Sequence, residues 1–183
     1  MIAKEKDLTD LKNKVIIFPT DTVYGVGCLF DDLESITRIF LLKGRDFGKP
    51  MAILAANTDM LVPLVEMNAE FMALAKKHWP GALTLIARKK SAVSDLISAG
   101  KNTVGVRIPN HPTALAILEK FGPMVTTSLN QSGEAPLTRF ADVMGYADLV
   151  DYLIDGGDIE GIASTVYDVE NHAVLRQGTV RIK

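Results

Sequence analysis

Apolar residues come in short bursts divided by polar, glycine- or proline-bearing turns. Residues 15–18, Val-Ile-Ile-Phe, are four consecutive β-branched or aromatic positions, which reads as a strand covered on both faces. Pro19 ends it, and Thr20, Asp21 and Thr22 follow at its carboxyl end, where open α/β sheets place ligands. Gly25 and Gly27 let the backbone turn tightly or approach something closely. Upstream, Leu8 and Leu11 predict a brief helix leading into the strand. Downstream, Leu33, Ile36, Ile39 and Phe40 repeat at helical spacing after a cap at Asp31 or Asp32, and that helix closes near Lys43 and Gly44.

The remaining pattern alternates in the same way. Residues 44–50 form a loop and residues 51–55 a buried strand; Asn57 and Asn68 then cap two successive helices, the second broken at Trp79, Pro80 and Gly81. Residues 82–87 predict a strand, followed by basic Arg88, Lys89 and Lys90 and a short helix to Gly100. Residues 104–108 predict a strand carrying Arg107, and Pro112 opens a helix through Phe121 whose inward face holds Leu115, Ile117 and Leu118. Residues 123–127 are a strand, 128–136 a polar loop and 140–146 a helix, while 150–154, 165–169 and 173–175 are late strands. Helices alternate with strands early and strands cluster late. The fold class is therefore α/β, with a mixed parallel and antiparallel sheet and flanking helices.

Length and charge narrow the classes. A chain of 183 residues with 48% apolar positions suits one domain, 1–183, able to bury a core without staples. A net charge of −2 excludes coating nucleic acid or an anionic membrane by bulk charge, so any anion site has to be local. Cys28 is the single cysteine, which rules out an internal disulfide and reads as a small buried side chain. No apolar run approaches the roughly 20 residues that cross a bilayer. The expectation is a soluble, cytoplasmic protein without a membrane partner.

Several motifs fail on their own terms. Gly25, Gly27 and Phe30 lack the third glycine and the helix start of a dinucleotide fingerprint. Gly44 to Lys49 is a phosphate loop one residue short, with Pro50 where a magnesium-binding hydroxyl belongs. His78, His111 and His172 lack ligand spacing, so no protein-held metal is expected. What remains is cationic: Lys43, Arg45 and Lys49 within seven residues, able to converge on one polyphosphate from a loop, with Arg107 and Arg176 near other strand ends. Thr126, Thr127, Ser128 and Asn130 form a second polar loop after an apolar strand, and Ser164 and Thr165 a third. Three such loops suggest one concave site.

PTDTVYGVG, KGR with KPMAIL, WPGALTLI, VGVRIPNHP, SLNQSG, STVYD and LRQG resemble, in order and spacing, the YrdC/Sua5 family of threonylcarbamoyl-AMP synthases. The resemblance runs from Val15 to about Gly178, and the family's Lys-x-Arg and Ser-x-Asn hallmark is met by Lys43, Arg45, Ser128 and Asn130. It implies a twisted sheet curved around a deep basic cavity, in the short, single-domain form. It also implies an enzyme that condenses L-threonine, bicarbonate or CO2, and ATP with Mg2+ into L-threonylcarbamoyladenylate and pyrophosphate. That product feeds N6-threonylcarbamoyladenosine formation at position 37 of tRNA, by transient hand-off to a threonylcarbamoyl transferase complex, any tRNA contact being indirect. Carried over by motif, Lys43, Arg45, Ser128 and Asn130 would be catalytic. Thr22, Arg107, Thr126 and Ser164 would hold threonine, and Arg45, Lys49, Thr103, Ser128, Pro136 and Arg176 would line the nucleotide. Two rival readings are an RNA-binding module on the same fold and a related carbamoyl-adenylate-forming domain.

Overall fold

The computed structural model describes residues 1–182; Lys183, the last residue of the expected domain, lies outside the described residues. Ten strands form one sheet: β1 Ile2–Ala3, β2 Ile16–Phe18, β3 Gly25–Leu29, β4 Ala52–Leu54, β5 Leu83–Arg88, β6 Thr103–Arg107, β7 Met124–Ser128, β8 Tyr152–Ile154, β9 Thr165–Asp168 and β10 Ala173–Arg176. Their order across the sheet is β1-β8-β2-β3-β7-β4-β6-β5-β9-β10. β4 lies parallel to β6 and β5 parallel to β9, whereas β3 and β4 both run antiparallel to β7. The sheet is thus mixed, as the late cluster of strands predicts.

Among the described residues, five α-helices flank it: α1 Leu33–Lys43, α2 Ala69–His78, α3 Asp95–Ser98, α4 Pro112–Phe121 and α5 Phe140–Val143. Asp32 caps α1 by accepting from the Ser35 amide, and Gly44, at φ 56°, closes the helix in the left-handed conformation that glycine adopts without strain. Asn68 caps α2 through the Phe71 amide at 2.8 Å. Asn57 caps less than expected, a single 3-10 turn over Asp59–Leu61 whose Met60 amide it receives at 3.1 Å.

Strand alternation divides the core. Val15 and Ile17 join the cluster built around α1, α2 and α3, while Ile16 and Phe18 join a second cluster with Ala114, Ile117 and Leu118 of α4. The apolar run at 15–18 is therefore covered on both faces. The inward face of α4 uses Ala114 where Leu115 was expected, and Leu115 is half-buried. Leu8 and Leu11 also depart from expectation, lying in no helix. Their segment comprises β1 and one 3-10 turn at Glu5–Asp7, and both leucines are buried in the α4 cluster. A run this short gains more from tertiary burial than from helical bonds. Residues 140–146 divide between α5 and a 3-10 segment over Met144–Leu149. Cys28 is fully buried in β3, and burial pushes its thiol pKa up. Among the described residues, no helix is long and apolar enough to cross a membrane.

Candidate active site

The same alternation that builds the core builds a cavity. Leu83, Leu85, Val104, Val106, Ile53 and Val125 face the helices. Their neighbours Thr84, Ile86, Gly105, Arg107, Ala52, Leu54, Thr126 and Ser128 face the other way and line a hollow of about 270 Å3. Its rim adds Thr20, Arg45, Thr127, Ser164 and Arg176. Residues from both ends of the chain thus share one concave surface. Gly25 and Gly27 serve close approach to a strand. A Cβ on Gly25 would meet Thr126 Cγ2 at 2.8 Å, and one on Gly27 would meet the Val125 carbonyl oxygen at 2.6 Å.

Among the described residues, three guanidinium groups line the hollow and no carboxylate does. Arg107 is the most constrained. Its Nε donates to the Gly81 carbonyl at 2.8 Å, one terminal nitrogen donates to Thr22 Oγ1 at 2.9 Å, and the other pairs with the Asp21 carboxylate. Burial lowers the Arg107 pKa, and the Asp21 charge opposes that shift. Arg45 donates to Thr127 Oγ1 at 3.0 Å and to the Pro50 carbonyl at 2.7 Å, while its Nε is buried without a partner. Arg176 donates to the Ser164 carbonyl at 2.9 Å and to Ser164 Oγ at 3.1 Å. Burial lowers the pKa of both Arg45 and Arg176, and neither has a carboxylate partner among the described residues. Two cations without a carboxylate partner on one concave surface make its field favourable to an anion.

The family model of Sua5, YciO and YrdC proteins, described as "Telomere recombination", matches residues 11–178. The chain belongs to this family. The threonylcarbamoyl-AMP synthases of Pyrococcus abyssi and Bacillus subtilis are each 37% identical to it, over 86% and 92% of this chain. It spans about half their length, 48% and 51% respectively. The crystal structure of P. abyssi Sua5 complexed with L-threonine superposes with a TM-score of 0.86 at 37% identity, covering 90% of this chain and 50% of that one.

Within this Sua5/YrdC domain, the hallmark residues divide into two tiers. Arg45 and Ser128 line the hollow, whereas Lys43 and Asn130 are off its lining and bond each other. Lys43 is 1% exposed, and its ammonium donates to the Ser128 carbonyl, to the Asn130 carbonyl at 2.9 Å and to Asn130 Oδ1 at 3.0 Å. Asn130 Oδ1 also accepts from Ser128 Oγ at 2.7 Å. The three early cations therefore do not converge, contrary to the expectation from their spacing. Lys43 ends α1 pointing inward, Gly44 turns the chain, and Lys49 is exposed and bonds Ser132 Oγ at 3.2 Å.

Other expected residues are distributed likewise. Arg107, Thr126, Ser164, Ser128 and Arg176 share the hollow. Thr22 lies behind Arg107, with Thr20 on the lining in its place and their hydroxyl oxygens 3.0 Å apart. Thr103 falls on the cavity face of β6 but two residues before Gly105, off the lining, and Pro136 is half-buried on its loop, also off it. Thr84 and the Asp21 partnership escaped the sequence reading. Strand parity in Leu-Thr-Leu-Ile-Ala was the available signal for Thr84.

Proposed function

We propose that this chain condenses L-threonine, bicarbonate or CO2, and ATP into L-threonylcarbamoyladenylate and pyrophosphate. The observation that carries this reading is the single hollow lined by Arg45, Arg107 and Arg176 without a carboxylate, beside hydroxyls of Ser128 and Ser164. The named activity of the two 37% identical relatives supports it, as does the L-threonine complex of the archaeal structure.

The chemistry suits such a site. The threonine amine adds to CO2 to give a carbamate, whose oxygen attacks the α-phosphorus and expels pyrophosphate. No protein nucleophile is required. Charge accumulates on phosphate oxygens, so catalysis reduces to positioning and electrostatic stabilisation. In this reading Arg45, Ser128 and Arg176 face the triphosphate, while Arg107, Thr126 and Ser164 face the amino acid. Lys43 and Asn130 hold the turn that carries Ser128. Lys49, Thr103 and Pro136, expected on the nucleotide, lie off the lining of the hollow.

No group of three or more His, Cys, Asp or Glu side chains able to hold a metal is found among the described residues. Magnesium enters this scheme on the triphosphate oxygens, as part of the nucleotide substrate. Hand-off of the product to a tRNA-modifying transferase in the cytoplasm completes the reading.

The test mixes the purified chain with ATP, magnesium, bicarbonate and threonine, omitting each in turn. Pyrophosphate and an adenylate of the expected mass should require all components. Pyrophosphate release that ignores threonine would overturn the reading.

A further inference from the structure

Two hydroxyls meet on the wall of the hollow with one proton more than the protein uses. Thr84 Oγ1 and Ser164 Oγ lie 2.8 Å apart, and the two residues are 7% and 4% exposed. The Thr84 rotamer is set by its neighbour on β6. A Cβ on Gly105 would approach Thr84 Cγ2 at 3.1 Å, so the glycine receives the methyl group and the hydroxyl turns toward β9 and Ser164.

The pair carries two O–H protons. One is consumed in the mutual bond, whichever oxygen donates, and the Arg176 contact brings a further donor to Ser164 Oγ. Neither hydroxyl has another acceptor among the described residues. One O–H donor is left facing a cavity whose charged lining is wholly cationic. An anionic oxygen is the partner this arrangement calls for.

We propose that Thr84 is a positioning residue for the amino acid's carboxylate, fixing the Ser164 hydroxyl so that the pair presents its remaining proton to a carboxylate oxygen of the amino acid that Ser164 faces. The proposal rests on the reading of the hollow as a threonine and ATP site.

The experiment compares Thr84→Val, which removes the hydroxyl at nearly constant volume, with Thr84→Ser, which keeps it. The valine variant should raise KM for threonine about tenfold, the scale of a lost hydrogen bond to a charged group, with kcat within about twofold and KM for ATP unchanged. The serine variant should restore the parent value. Threonine alone should raise the melting temperature of the parent and serine variants more than that of the valine variant. If Thr84→Val fails to fold, Thr84→Ala reads the same split. A threonine KM within twofold of the parent, or an ATP KM rising in step, overturns the proposal while leaving the parent activity standing. An unaltered chain that makes no threonine-dependent pyrophosphate removes the underlying reading and this proposal with it.

Discussion

Lys43 Nζ lies 2.9 Å from the carbonyl oxygen of Asn130, and the Asn130 side chain and the Ser128 carbonyl take its other two hydrogens. The last residue of α1 thereby grips the turn that delivers Ser128 to the cavity. A charge lying 128–130 loop and helix end together acts on geometry before it acts on substrate.

The grip needs a protonated amine. Burial, with the Arg45 charge second, lowers the Lys43 pKa from 10.5 to about 8. A neutral amine offers two hydrogens to three acceptors, so activity should fall as pH rises through about 8. Stability should move the other way. Between about 8 and 10.5 the unfolded chain binds more protons than the folded one, so the Lys43 contribution to stability rises with pH in that window. Urea titrations and rates from pH 7 to 10, on the parent and Lys43→Met, should show opposite slopes in the parent only.

Arg45 is the cation of the hallmark that reaches the hollow. Arg45→Ala should reduce threonine-dependent pyrophosphate release by roughly 10²-fold or more, the usual scale for a lost transition-state donor. Arg45→Lys should recover little, because one ammonium cannot serve Thr127, Pro50 and a phosphate as a fork does. A loss below about threefold at saturating substrate would remove Arg45 from the chemistry.

Asp21 and Arg107 are both largely buried, with side chains 15% and 7% exposed. Removing one partner strands a charge, so Asp21→Asn should cost about 3 kcal/mol in denaturant unfolding. Combining it with Arg107→Leu should cost less than the sum of the two single changes. Strict additivity would show that the contact carries no coupling.

Gly27 tests the sheet itself. An alanine methyl there would lie 2.6 Å from the Val125 carbonyl oxygen and 2.8 Å from Thr126 Oγ1. Gly27→Ala should cost about 2 kcal/mol or more of unfolding free energy, read as a lower midpoint at an unchanged denaturant slope. An unchanged midpoint would mean that β3 and β7 can separate at little cost.

Substrate choice follows from which groups the site must satisfy. Serine keeps the hydroxyl and loses one methyl, so it should be disfavoured by only about 1 to 3 kcal/mol in kcat/KM. L-2-aminobutyrate lacks the hydroxyl and should fare far worse. Equal turnover of threonine and 2-aminobutyrate would exclude hydroxyl recognition.

Much of this was legible in the sequence, because punctuation marks elements well. Pro19, the Asp32 cap, Gly44, the Asn68 cap and Pro112 each bound the element they were expected to bound. The gathering of Arg45, Arg107, Ser128 and Arg176 into one hollow likewise matched the expectation of a single concave site. Periodicity failed where few residues supported it. Leu8 and Leu11 can be helix or loop with equal ease, and their burial against α4 decided it. Spacing also misled at Lys43, Arg45 and Lys49, since proximity in sequence says nothing of direction once a helix end and a left-handed glycine intervene. Thr84 stayed hidden for a third reason. A threonine among leucines satisfies strand propensity by itself, and its Ser164 partner lies 80 positions away.

The pairing of β5 with β9, and the bonds from Arg176 back to Ser164, give the hollow a history as well as a shape. During translation, a ribosome-bound nascent chain with β9 and β10 still in the exit tunnel lacks the wall that carries Ser164, Val166 and Arg176, and with it one of the three guanidiniums. Competence to hold an anion in the hollow should therefore appear abruptly, once β9 and β10 have paired with β5, instead of accruing strand by strand.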